Sequence, residues 1–118
     1  MAMERLREEI HKAAENELSR ANANFPLFNS PHEGYAVILE EYEEAQEALE
    51  QVKSSLDVLW EKVKGIDIAC FLEKKTLPMA IYEDAINAAC EMAQVAAMLL
   101  KYEMSFPSTG ESEGKEYE

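Results

Sequence analysis

The sequence predicts an all-α fold, a helical bundle of three long helices plus a short one, built within 118 residues. Three observations lead there. Apolar residues recur at spacings of three and four along three long stretches, which is the period of one helical face. Hydrophobic residues make up 47% of the chain against only 4 Gly and 4 Pro, so helix breakers are few and a core is affordable in length. Pro26, Gly65 and Pro78 mark boundaries of the periodic stretches.

The first stretch is Met3 to Asn24. Leu6, Ile10, Ala14 and Leu18 lie four apart, while Arg5, Glu8, Lys12 and Glu15 occupy other faces. This is an amphipathic helix with one narrow apolar stripe. Asn22-Ala23-Asn24 and Phe25-Pro26 end it. Phe25, Leu27 and Phe28 make the short connector apolar, and the expectation is that they tuck onto the bundle.

The second stretch opens with Ser30 as N-cap, Pro31 as first helical residue and Glu33 completing a capping box. Nothing then forbids helix until Gly65, which predicts one helix over residues 31–64. Stepping about 100° per residue puts Val37, Ile38, Ala45, Ala48, Leu49, Val52, Leu56, Leu59, Trp60 and Val63 on one broad arc. Trp60 is expected to anchor packing. Glu41 falls in the middle of that arc, Glu44 at its edge, and Glu40 further round. A buried carboxylate persists when it is paired or binds a metal. A solvated acidic run is the plainer account of Glu40, Glu41, Glu43 and Glu44, and both readings stand at this point.

Ile66 to Lys75 is apolar first and charged last, as a short helix or an ordered loop would be. Thr76-Leu77-Pro78 restarts helix, predicting a third one over residues 78–104. Ile81, Ala85, Ala88, Ala89, Met92, Val95, Ala96 and Leu99 form its apolar arc, and the alanines imply close approach to a neighbour. Beside that arc runs a second stripe, Asp84, Asn87, Glu91 and Gln94. It reads either as a polar edge beside the core or as a set of oxygen ligands. Residues 1–104 thus form one helical domain, and the Gly/Ser/Glu-rich residues 105–118 read as a disordered acidic tail.

The net charge is −13. That balance argues against nucleic acid or an anionic membrane as partner, because both need basic patches. It suits divalent cations, or nucleotides whose phosphates such cations bridge. No apolar run approaches the roughly 20 residues of a membrane span, and no signal peptide opens the chain. Cys70 and Cys90 read as buried free thiols in a reducing cytoplasm.

Two helices therefore each carry oxygen ligands at i, i+3: Glu41 with Glu44, and Glu91 with Gln94. On antiparallel neighbours these four can converge, and hard cations such as Mg²⁺ take such oxygens together with waters and substrate phosphates. The chemistry to expect is cation-assisted attack of water on phosphorus. His32, in a first helical turn, can contact an anion or simply face solvent. Few Lys or Arg stand near these motifs.

Glu40-Glu41-x-x-Glu44 resembles the E-E-x-x-E of the MazG-like all-α nucleoside triphosphate pyrophosphohydrolases. Cys90-Glu91-Met92-Ala93-Gln94-Val95-Ala96-Ala97-Met98 resembles the second metal-binding helix of phage and prophage members. The two helices cover about half the chain. The resemblance implies a Mg²⁺-dependent enzyme, with Mn²⁺ as the alternative cation, cleaving a nucleoside triphosphate to monophosphate and pyrophosphate. It implies Glu40, Glu41 and Glu44 as catalytic residues, metal ligation by Glu41, Glu44, Glu91 and Gln94, and a homodimer or homotetramer whose second subunit completes the bundle. His32 and Asn87 are the candidate substrate contacts. Two departures accompany it: Gln94 stands where Asp is usual, and the interval between the two pairs is longer by about four helical turns. The general base stays open among Glu40, Glu44 and a cation-activated hydroxide. A non-catalytic oligomer of the same fold, binding a nucleotide or serving as a phage accessory protein, is the competing reading.

Overall fold

Local sequence chemistry sets where each helix starts and stops. The computed structural model describes residues 2–24, 27–65 and 77–107. Every regular element among them is a helix: α1 (Ala2–Asn24), α2 (Pro31–Val63) and α3 (Leu77–Ser105). The fold is all-α, as expected. At the start of α2 the Ser30 Oγ accepts the Glu33 N–H at 3.1 Å, and the Glu33 carboxylate accepts the Asn29 N–H at 2.6 Å. Both are backbone donors that a helix terminus otherwise leaves without partners. At the other end Gly65 adopts φ +93°, a conformation that favours glycine, and its N–H donates to the Lys62 carbonyl at 2.9 Å. The segment expected to be a short helix or ordered loop, 66–75, lies outside the described residues, as does Cys70.

The chain divides into two compact units, Met1–Glu41 with Ala93–Glu118, and Tyr42–Met92. In the first unit Phe28, Ala97 and Met98 form a buried cluster, with Leu18, Ala21, Val37, Ile38, Tyr102 and Phe106 packed against it. The connector residue Phe28 is thus core, and its burial contributes on the order of 2 kcal/mol. Its backbone N–H donates to the Ser105 Oγ at 3.0 Å, so the entry to α2 is tied to the end of α3. Leu27, expected to tuck in likewise, is exposed.

In the second unit the buried apolar residues are Ala45, Leu77 and Ala88. The two alanines carry little side-chain bulk, consistent with the close helix approach that the alanine content of α3 predicts. Much of the expected arc is uncovered: Leu49, Leu56, Trp60 and Val63 are all exposed. Trp60 does not anchor packing. It is 57% exposed, and the Lys64 ammonium lies over its ring at 5.6 Å. The reason is geometric, since two helical segments can cover only a stripe of each other and the arc on α2 is broader than that.

Two smaller expectations are corrected. Cys90 is an exposed free thiol, because its position on α3 falls outside the packed stripe. The tail does not begin at 105: Ser105 is the last residue of α3, and the Phe106 ring packs edge-on to Tyr102 with centroids 5.2 Å apart. The Ser105 hydroxyl, bonded to both the Lys101 carbonyl and the Phe28 N–H, holds that end in place. Residues 108–118, the rest of the expected disordered tail, lie outside the described residues. No described helix is long and apolar enough to cross a membrane.

Candidate functional site

In the second unit, polar side chains of α2 and α3 border a cavity of about 670 Å³. Glu44, Glu47 and Gln51 line it from α2, and Asp84, Asn87 and Glu91 from α3. A helix with carboxylates or amides every three or four residues presents them along one face, and here both helices do so. Carboxylate oxygens of Glu44 and Glu91 approach within 4.8 Å, Glu44 exposed and Glu91 half-buried. Like charges this close repel, and a shared hard cation relieves the repulsion while accepting oxygen donors. The pair offers the hard oxygen donors that divalent cations take, although exposed acidic groups are common without an ion.

Asp84 is not loose in this cavity. Its carboxylate accepts the Ser55 hydroxyl at 2.6 Å, which fixes its direction in a partly buried setting. Asn87 is exposed on the cavity wall, with its amide free to meet a ligand in the cavity.

Glu41 stands one turn before Glu44 in the sequence of helix α2. It is half-buried, in keeping with its place among Val37, Ile38 and Ala45. Glu41 carries an interaction of its own. Glu40 and His32 are exposed. Position on the helix thus separates the neighbouring acids: Glu41 leans inward and Glu40 faces solvent.

In the first unit Glu41 and Gln94 line a second cavity, of about 570 Å³. The Gln94 amide is committed there, its Nε2 donating to the Glu17 carboxylate of α1 at 2.7 Å. That leaves the Gln94 carbonyl oxygen as its possible cation donor. The same cavity is bordered by Lys101, 5% exposed, whose ammonium sits 4.9 Å from the centroid of the Phe28 ring.

Glu17, Ser55, Glu47, Gln51 and Lys101 escaped the sequence reading. Glu47 and Gln51 continue the spacing from Glu44 by three and four, so extending that pattern finds them. Glu17 and Gln94 are 77 residues apart, and no local signal joins them. Comparison with protein-family models, with curated proteins and with solved structures gives no match.

Proposed function

We propose that this protein is a divalent-cation-dependent nucleoside triphosphate pyrophosphohydrolase of the MazG-like type, releasing a monophosphate and pyrophosphate. The observation that carries the reading is the approach of Glu44 and Glu91 across the cavity of the second unit. Glu41 extends that pair by one turn of α2, and the resemblance of Glu40-Glu41-x-x-Glu44 to the family motif supports it. Glu44 and Glu91 would hold Mg²⁺ in the second unit, and the resemblance adds Glu41 and Gln94 to the ligand set. Such a cation supplies charge neutralisation at phosphate and a lowered pKa for attacking water. The chain's own contribution would be the oxygen donors of the cavity wall, with Asp84 held by Ser55 and Asn87 as a contact for the nucleotide. The exposed carboxylate of Glu40 can accept a proton without loss of packing. A second copy of the chain would cover the exposed apolar residues of the second unit, giving a homodimer or a pair of dimers working in the cytoplasm.

A second reading has one observation in its favour. The amide of Gln94, standing where the family has an acid, is bonded to Glu17 instead of being free to turn. A non-catalytic oligomer that binds a nucleotide, or that serves as a phage accessory protein, would tolerate that.

The deciding measurement is pyrophosphate release from a panel of canonical and modified nucleoside triphosphates with Mg²⁺ or Mn²⁺. Wild type is compared with Glu44→Gln, an exposed position where substitution leaves the fold intact. Metal-dependent turnover that falls by about a hundredfold or more in the variant is the expected result. Absence of turnover on every nucleotide, together with no metal-dependent rise in melting temperature, overturns it.

A further inference from the structure

The first unit carries an apolar groove that the proposed hydrolysis leaves without a role. Met3, Leu6 and Ile10 of α1 line it, and all three are exposed. The same stripe of α1 continues into Ala14, which is buried. Ala96 of α3 adds a wall of little bulk, and Arg7 stands at the edge. The groove has a volume of about 310 Å³, and an apolar cavity of about 150 Å³ already holds benzene. A leucine or an indole side chain therefore fits. The second unit has the converse feature, a row of large exposed side chains on α2, among them Leu49, Leu56 and Trp60.

We infer that the α1 groove of one copy takes the α2 stripe of a second copy. Charge selects this occupant over the alternative, in which the two α2 stripes meet each other. Residues 42–63 and 77–92 carry nine acidic and two basic residues, a net charge of −7. Helix α1 carries five acidic and four basic residues, a net charge of −1, and holds four of the chain's 11 Lys and Arg. Stripe against stripe sets −7 against −7, whereas groove against stripe sets −1 against −7. Repulsion between like charges follows their product, so the cross contact is the less opposed. At 0.1 M salt the Debye length is about 10 Å, and charges near the contact decide the balance. Two copies that exchange groove and stripe reciprocally close as a dimer with two equal contacts. The pairing rests on the second-copy part of the proposed function, and no step of hydrolysis enters it.

The test uses the full chain at 0.1 M salt, as wild type, Leu6→Glu and Trp60→Glu. Both positions are exposed and Glu is a good helix former, so both variants should keep their helical circular dichroism. Sedimentation velocity should give the dimer mass for wild type and the monomer mass for each variant alone. Mixing the two variants should restore association, because Trp60→Glu keeps an intact groove and Leu6→Glu an intact stripe. Trp60 is the chain's one tryptophan, so in that mixture only the Leu6→Glu copy emits as tryptophan. Titrating it with excess Trp60→Glu should move its emission to shorter wavelength and saturate. A Leu6→Glu variant as dimeric as wild type overturns the pairing and assigns stripe to stripe. So does an emission that does not move under excess Trp60→Glu. A monomeric wild type overturns it as well, and with it the second-copy part of the proposed function. A dimeric wild type beside a dimeric Leu6→Glu defeats this inference alone, and pyrophosphate release is decided by its own assay.

Discussion

Gly34 shows how one missing side chain permits a whole contact. A Cβ added there would meet Tyr102 Cδ2 at 2.7 Å and Phe28 Cδ2 at 3.0 Å. Both are ring carbons near the base of the side chain, where a small rotation cannot clear them, and Tyr102 is further held by Phe106. Overpacking of this kind costs about 1–3 kcal/mol, while Ala gains roughly 1 kcal/mol over Gly in a helix interior. The clash wins. Gly34→Ala should lose about 1–2 kcal/mol, seen as a lower urea midpoint with an unchanged slope. A variant more stable than wild type would mean that α2 does not approach Tyr102 this closely. Asp84, by contrast, gains its fixed direction from a hydroxyl on another helix, which no inspection of its neighbours in the chain would show.

At the scale of the element, α2 depends on its cap. Ser30 Oγ and the Glu33 carboxylate satisfy two backbone donors at once, and removing the hydroxyl leaves one without its partner. Ser30→Ala should cost about 1 kcal/mol, lowering the melting temperature by roughly 3–5 °C in a chain of this size. Ser30→Asp, which keeps an acceptor at the cap, should restore most of that loss. This cap was readable because its parts lie within three residues of one another, and Gly65 was readable for the same reason. Glu41 was readable as an inward-leaning acid because helical period alone places it among Val37, Ile38 and Ala45. What period cannot supply is how much of a face the neighbouring helix covers. Trp60 and Leu56 lie on the predicted apolar arc and are nevertheless exposed. The pairing of Glu17 with Gln94 and the meeting of Lys101 with Phe28 join residues more than 70 positions apart, beyond the reach of spacing.

For the molecule as a whole, the uncovered residues follow a pattern of their own. On α2, Leu49, Leu56, Trp60 and Val63 recur at intervals of seven, four and three; on α3, Met79, Tyr82 and Ile86 recur at three and four. Scattered exposed leucines are ordinary, whereas two such stripes within one small unit form the kind of surface that associates. Opposing this is a net charge of −13 on every copy, which repels a second copy until salt screens it. Hydrophobic attraction acts at contact and is little affected by moderate salt, while the repulsion between exposed charges falls as the Debye length shortens from about 30 Å at 0.01 M to about 10 Å at 0.1 M. Self-association should therefore strengthen with ionic strength over that range, opposite to an assembly held by surface ion pairs. Sedimentation velocity should give twice the monomer mass at 0.1 M salt and a larger monomer fraction at 0.01 M. Trp60→Glu, which inserts a charge into the α2 stripe, should give monomer at both while keeping its helical circular dichroism. A wild type that stays monomeric at every salt concentration would show that these stripes do not mediate self-association.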